Sequence, residues 1–385
     1  MYMEYPFVYD KYVTGRNYVG RKSECNALSN LLDSGENISI YEPQKSGKMS
    51  TVQQTLFNMR MAGRQFLVGQ VSLFNVRTIE DFLLKFGSSV IRPISSTPEE
   101  YKDLISRHLD GTHFVFDASR FASCDEVISL NWAPDRNDIE QMLRLPYRIA
   151  RERGMTYFMI IEEFQSLLHT DEHEEVFEIL ETIFAERDKS DKASASYILL
   201  GSLVNAMKYI FEEKKWFYRQ VEHLPLCPVE DREIIEHVVK GFSMGGKVID
   251  RDLVLGACRL FRGDLWYLNH FTAICDSKSK GFINEGILMD ALKSMISIHE
   301  PRFQTMVNDL TDHQLSLMRA ILDGVVKFSS SDVIEKYRLN SSANVRRVKD
   351  ALKKKEIITF NEKDEPVILD PLFEYWIGKY YFVRP

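Results

Sequence analysis

The sequence has no CxxC pair. Its five cysteines (Cys25, Cys124, Cys227, Cys258, Cys275) are scattered along 385 residues. That spacing indicates neither a structural zinc site nor a disulfide framework and reads as free thiols in a reducing cytoplasm. No apolar run approaches the length of a membrane span. The aromatic, mixed-charge opening MYMEYPFVYDKYV lacks the basic and apolar regions of a secretory signal. A cytoplasmic protein with no membrane partner is therefore expected. Strong net charge is also missing: 49 basic against 56 acidic residues leave −7. A whole-protein basic field is thus excluded, and any nucleic-acid contact must come from a local patch. There is no internal repeat and no low-complexity segment.

What is present is ordinary globular material, 44% hydrophobic and 27% charged, enough for a sizeable core in two or three domains. The first 229 residues alternate strand and helix patterns. NISIY (37–41) reads as a strand, EPQKSGK as a loop and MSTVQQTLFNMRMAG as a helix. FLVGQVSL (66–73) is a second strand, followed by helical TIEDFLLKFGSSVI, and HFVFDAS (113–119) is a weaker strand candidate. A helix is expected over 138–153, then the apolar strand YFMIIEEF (157–164), an acidic helix over 174–187 and the strand SYILLGS (196–202). Strands alternating with helices predict a parallel α/β sheet. Residues 230–304 read as helical. From 305 to 385 the order is three helices (LTDHQLSLMRAIL, SSDVIEKY, SANVRRVKDALKKK) and a hairpin, EIITFNEKDEPVILD, which is the winged helix-turn-helix order.

The loop after the first strand holds one candidate for chemistry. A P-loop reads Gly-x-x-x-x-Gly-Lys-Ser/Thr. Its glycines let backbone N–H groups curl round the β-phosphate, its lysine neutralises phosphate charge and its hydroxyl binds Mg²⁺. Here Glu42, Pro43, Gln44, Lys45, Ser46, Gly47, Lys48, Met49 and Ser50 occupy the pattern. Gly47 and Lys48 are in place. Glu42 stands at the first glycine position and brings a negative charge, and Met49 replaces the hydroxyl with a thioether that does not suit a hard cation. Ser50 lies about 100° further round the helix and substitutes only if the loop shifts. Alone, SGK also fits an ordinary βα loop with a surface lysine. The second candidate is Met159-Ile160-Ile161-Glu162-Glu163, an apolar strand ending in two acids. This is the Walker B form, with Glu162 at the Mg²⁺ position and Glu163 as the base that orients water.

Taken in order, these segments resemble the prokaryotic "archaeal-type" ATPase family, a STAND/AAA+ branch related in architecture to origin-recognition ATPases. Tyr18-Val19-Gly20-Arg21-Lys22-Ser23-Glu24 with Leu28 is similar to the family's Phe-Val-Gly-Arg-x-x-Glu-x-x-x-Leu box beside the adenine. Tyr41 to Ser50 aligns with Tyr-Gly-Pro-Arg-Arg-x-Gly-Lys-Thr-Ser, and Glu162-Glu163-Phe164-Gln165 with Asp-Glu-Phe-Gln. Leu200-Gly201-Ser202 resembles the end of the sensor 1 strand, and Trp216-Phe217-Tyr218-Arg219 a segment that often reads Leu-Tyr-Gly-Arg. Leu226-Cys227-Pro228-Val229 is similar to Leu-x-Pro-Leu, and Arg262-Gly263-Asp264-Leu265-Trp266-Tyr267-Leu268 to the lid's Gly-Gly-x-Pro-x-Tyr-Leu. Asp370-Pro371-Leu372-Phe373-Glu374-Tyr375-Trp376 fits Asp-Pro-Leu-Phe-x-x-Trp.

The resemblance implies a P-loop AAA+ core over 1–229, a helical lid over 230–304 and a winged helix over 305–385. It implies ATP and Mg²⁺ as cofactors, with Val19, Gly20, Arg21, residues 43–50, Ser202 and Arg262 at the nucleotide. Lys48, Glu163 and Arg219 are then the candidate catalytic groups, and Glu162 with Ser50 the metal ligands. Three departures, Glu42, Met49 and Glu162, fall on phosphate and Mg²⁺ chemistry, so hydrolysis is expected to be weak. Ser202 also fits a strand-end cap, Arg219 a solvated arginine beside aromatics, and Arg262 a surface salt bridge. The third winged-helix helix carries Arg346, Arg347, Lys349 and Lys353 opposite Val345, Val348, Ala351 and Leu352. It suits phosphate contacts with DNA, or a charged face for a protein partner. His169 and His173 have no third metal ligand and read as a surface pair. The expectation is a nucleotide-responsive switch, with a nucleotide-free scaffold as the alternative and oligomer formation left open.

Overall fold

The computed structural model describes residues 6–121, 127–188 and 191–383. Cys124 and the first five residues lie outside them. The chain divides into two compact units. One comprises residues 22–44 and 51–226, and the other 1–21, 45–50 and 227–385.

The first unit is built on a parallel sheet. Its elements are α1 (Lys22–Asp33), β1 (Asn37–Tyr41), α2 (Lys48–Met61), β2 (Phe66–Ser72), α3 (Ile79–Ile91), α4 (Pro98–His108), β3 (Phe114–Phe116), α5 (Ala118–Phe121), β4 (Ile128–Leu130), α6 (Arg136–Leu143), α7 (Leu145–Arg153), β5 (Thr156–Glu162), α8 (His173–Glu186), β6 (Ala195–Gly201), α9 (Val204–Lys208) and β7 (Val221–His223). The first turn of α2 belongs to the other unit. The strand order is β2-β5-β6-β1-β7, all parallel. β1 and β6 are buried along their whole length and β5 in its middle five residues. That accounts for their continuous apolar runs, since helices cover both faces of a parallel sheet. Asn37, fully buried, accepts from the Tyr197 amide at 3.0 Å, so the polar start of β1 is satisfied inside the sheet.

One expected strand stands apart from the sheet, and one expected helix needs correction. HFVFDAS does form a strand, β3, but it pairs antiparallel with β4 in a separate hairpin. The helix expected over 138–153 is two helices, α6 and α7. Pro146 removes a backbone donor in the first turn of α7, so the ladder breaks at Arg144.

The second unit contains α10 (Asp231–Met244), β8 (Val248–Ile249), α11 (Arg251–Leu260), α12 (Leu265–Lys278), β9 (Phe282–Ile283), α13 (Glu285–Asn308), α14 (Asp312–Leu322), α15 (Ser331–Lys336), α16 (Ser342–Lys354), β10 (Ile358–Phe360), β11 (Pro366–Ile368) and α17 (Pro371–Trp376). The hairpin β10–β11 is the wing. One hydrophobic core runs from Phe7 and Val229 through Phe261, Phe271 and Phe303 to Phe373 and Ile377. The helix α13 passes without a break through residue 304, so residues 230–304 and 305–385 share both a helix and a core. Polar ties reinforce this. Asp370 caps α17, accepts from Tyr267 Oη at 2.8 and 2.9 Å and pairs with Arg302 at 2.5 Å. No described helix is long and apolar enough to cross a membrane.

Gly20 is fixed by its surroundings. Its φ is +69°, and a Cβ there would lie 2.6 Å from Val229 Cγ1 and 2.9 Å from Glu233 Oε2. Gly20→Ala should destabilise the protein by roughly 1–3 kcal/mol. A thermal midpoint lowered by several degrees in calorimetry is the expected result, and an unchanged midpoint contradicts the assigned contact.

Candidate functional site

The carboxyl ends of β1, β5 and β6 lie side by side, with Tyr41 opposite Gly201. In an open α/β sheet this is the edge where ligands bind. At the β1 exit the chain turns through Lys45 (φ +65°) and Gly47 (φ +91°) into α2, whose first residue is Lys48. The first turn of α2 forms the positive end of its dipole, which suits an anion. Glu42 turns its carboxylate to the Leu226 amide, at 3.4 Å. With Glu212 it helps hold the buried Tyr41 hydroxyl protonated.

The second unit wraps its part of this loop closely. Arg21 Nη1 donates to the Ser46 carbonyl at 2.6 Å, and Nε donates to the Cys227 carbonyl at 3.2 Å. A Cβ on Gly47 would stand 3.0 Å from that guanidinium. Lys48, 9% exposed, directs Nζ to Ser46 Oγ at 3.5 Å. Ser50 Oγ accepts the Val13 amide at 3.1 Å, and Met49 is half-buried. Lys45 Nζ sits 3.6 Å from the centroid of the Trp266 ring, within cation–π range. Burial, and then the charge of Arg302, lower the Lys45 pKa, which Asp264 partly offsets.

A cleft of about 70 Å³ lies against this loop. Its walls include Tyr9, Asn17, Val19, Arg21, Lys45 and Trp266. It is far below the ~300–1,000 Å³ of ordinary ligand clefts. The N-terminal segment closes it. Tyr9 stacks on His270 with ring centroids 4.5 Å apart, Trp266 Nε1 donates to the Tyr9 carbonyl at 2.7 Å and Asn269 donates to the Val8 carbonyl at 3.1 Å. Asp264 caps α12 nearby, and burial pushes its pKa up to about 6.

In the sheet unit, Glu163 holds a left-handed backbone (φ +56°), and one of its oxygens accepts from Ser202 Oγ and from Gln165 Nε2, each at 2.5 Å. Ser202 and Glu163, expected to serve one reaction, are thus in contact. Glu162 accepts from Gln70 at 2.9 Å, and Gln70 in turn accepts from Gln53. Arg219 is exposed at φ +61° and lies over its neighbour Tyr218, 5.1 Å from the ring centroid. Its turn is anchored by Glu181, which accepts from the Phe217 amide at 2.6 Å. Arg262 is committed elsewhere in its unit: it donates to the Ile368 carbonyl at 2.6 Å and pairs with Glu374 at 3.0 Å. Pro43 is half-buried and Gln44 exposed.

On α16, Arg346 is exposed, Arg347 donates to Asn344 Oδ1 at 2.7 Å, Lys349 lies over the Phe360 ring of the wing and Lys353 is half-buried. The wing tip carries Glu362, Asp364 and Glu365. Tyr9, Asn17, Trp266 and Asn269, which line the cleft, were not assigned to the site from sequence. Gln165 and Gln70 were also missed as partners of the two glutamates. The aromatic N-terminus was the one available signal. A metal-compatible group, His113 with Asp135 and Asp138, lies elsewhere in the sheet unit. Asp138 there accepts the His113 amide and ring and the Asp135 amide, which completes the capping box of α6 with Asp135 as the cap.

The pKa of Asp264 gives a sign that can be checked. A folded-state value raised from 3.8 to about 6 means that the folded state holds the proton more tightly. Stability contributed by this group is present below pH 3.8 and is lost as pH rises towards 6. Asn caps a helix as well as Asp does. Asp264→Asn is therefore expected to raise the thermal midpoint at pH 7.5 and leave it nearly unchanged at pH 4. Destabilisation at pH 7.5 contradicts this assignment.

A family model described as a probable winged helix domain matches residues 301–379. No curated protein sequence matches the chain. Among solved structures, it is similar to a Walker-type ATPase of Pyrococcus abyssi, with TM-score 0.66 and 15% identity, covering 96% of this chain and 98% of that one. It is also similar to the ORC2 protein of Aeropyrum pernix. The ADPNP–ADP form gives TM-score 0.57 and 15% identity over 96% of this chain and 98% of that one. The ADP form gives 0.55 and 15% over 95% of each. At such identities the likeness speaks to architecture. The chain shares the α/β architecture of these structures, with a mostly parallel central sheet, and ends in a winged helix domain.

Proposed function

We propose that the protein binds ATP at the loop after β1 and uses it as a switch, with slow or no hydrolysis. The observation that carries this reading is the backbone turn at Lys45 and Gly47, which delivers Lys48 to the start of a 14-residue helix. The residues fit a phosphate group. The turn brings Lys48 to the positive end of the α2 dipole, where it supplies charge, and Val19, Gly20 and Arg21 flank the base and the loop. They fit Mg²⁺ poorly. Met49 offers a thioether where a hard cation takes oxygen, Ser50 Oγ already accepts from Val13, and Glu162 accepts from Gln70. No step is therefore assigned to the metal.

Glu163 is the candidate base, with Ser202 and Gln165 holding its carboxylate. Arg219, exposed on a left-handed backbone, is available to a neighbouring molecule. Arg262 serves the lid and winged helix as a structural arginine. The small cleft means that nucleotide enters only as Tyr9 or Trp266 moves aside.

Titration calorimetry tests this reading. ATP should bind with an affinity that changes little when EDTA replaces Mg²⁺, and Met49→Thr should make binding Mg²⁺-dependent. Strong Mg²⁺ dependence in the unaltered protein, with turnover abolished by Glu163→Gln, would restore a working ATPase. Absence of heat, and no thermal stabilisation by ATP, would favour a nucleotide-free scaffold.

The exposed basic side of α16 supports a second role, contact with DNA phosphates. The acidic wing tip works against a firm grip, because like charge repels the backbone. Binding to duplex DNA should be weak, independent of sequence and strongly reduced between 50 and 200 mM salt, on the order of tenfold or more. The double change Arg346→Ala with Lys354→Ala should abolish it in an anisotropy titration. Tight binding at high salt contradicts this role.

A further inference from the structure

The loop lysine that the phosphate pattern does not require has an unexpected partner. Lys45 places its ammonium 3.6 Å from the centroid of Trp266, the second residue of α12. The Trp266 ring packs edge-on against Tyr267, His270 and His299, at centroid distances of 4.8, 5.5 and 5.7 Å. The Tyr267 hydroxyl donates to Asp370 at 2.8 Å, and Arg302 donates to both, at 3.1 Å to the hydroxyl and 2.5 Å to the carboxylate. Asp370 in turn accepts from the amides of Leu372 and Phe373, each at 3.0 Å, and so fixes the start of α17. At the end of α17, Trp376 donates to Glu300 of α13 at 3.3 Å. Every link lies in one compact unit.

We propose that Lys45 and Trp266 form a latch that reports an anion in the phosphate loop to the last helix of the winged helix. The inference rests on the nucleotide-binding reading. A phosphate oxygen competes with an indole face for the same ammonium, and an ionic partner wins over a ring quadrupole once both are within reach. Losing the cation changes the seat of Trp266, which also packs on the core and its ring neighbours and donates to the Tyr9 carbonyl. Tyr267 is the next residue and carries the change to Asp370. The latch biases α17 as far as its two states differ in contacts.

The four tryptophans supply the readout. In protein labelled with 5-fluorotryptophan, Trp266 and Trp376 report the two ends of the relay by ¹⁹F NMR, and exposed Trp132 serves as reference. Lines are assigned by Trp266→Phe and Trp132→Phe, and Trp376 by its response to Glu300→Gln. Saturating ATP, or inorganic pyrophosphate, should move both the Trp266 and Trp376 lines by more than their widths. In Lys45→Met the Trp266 line should be displaced before any ligand is added, and ATP should then move neither. In Tyr267→Phe the Trp266 line should still move while the Trp376 response shrinks at least twofold. Calorimetric heat with an unmoved Trp266 line overturns the latch alone. An undiminished Trp376 response in Lys45→Met or Tyr267→Phe overturns the relay. No heat from either ligand overturns the nucleotide reading and with it the latch's trigger.

Discussion

Everything near the candidate site depends on how the backbone leaves β1. Two residues of that turn, Lys45 and Gly47, hold positive φ, and the Arg21 guanidinium closes on the Ser46 carbonyl between them. The cost of a left-handed side-chain-bearing residue is about 1 kcal/mol or more. That cost is tolerated here because α2 begins at once and shares its end dipole with the loop. At φ +91° Gly47 holds a backbone that disfavours any side chain, and a Cβ there would press on the Arg21 guanidinium, 3.0 Å away. The same turn sends the Lys45 side chain to Trp266 and leaves Lys48 buried at the helix start.

Backbone strain elsewhere follows the same logic. Arg21, Lys45, Glu163, Arg219 and Arg262 all sit at positive φ without being glycine. Each is a charged residue singled out from sequence for a nucleotide role. Strain of this kind persists only where the surroundings over-determine it, and it gathers at functional sites. Glu163 is held by Ser202 and Gln165, and Arg262 by Ile368 and Glu374. In the last case the strain ties the turn before α12 to β11 and α17. A charged residue in a strained turn can thus be placed for architecture as readily as for chemistry.

The sheet was legible because burial on both faces leaves an unbroken apolar run, as in YFMIIEEF and SYILLGS. The winged helix was legible because its helices alternate faces and its hairpin has a polar turn. The break at Arg144 was hidden by helical periodicity that continues past Pro146. The β3–β4 hairpin could not be assigned because strand pattern carries no information on partner. At the site, the loop and the glutamates were visible as motifs. The walls were not, because Tyr9, Trp266 and Asn269 meet the loop only through tertiary packing. Glu42 shows the limit most clearly. Its charge suggested repulsion of phosphate, but its carboxylate is taken up by the Leu226 amide.

The central claim is that a phosphate cradle survives while the metal half of the site does not. A crystal structure with ATP and Mn²⁺, whose anomalous signal marks the metal, tests it most directly. The account predicts triphosphate against residues 45–48, with Tyr9 or Trp266 displaced and no ordered metal held by residues 49 or 50. A metal bound by Ser50 and Glu162, or a loop that keeps Lys45 on Trp266 with no phosphate beside it, would contradict it.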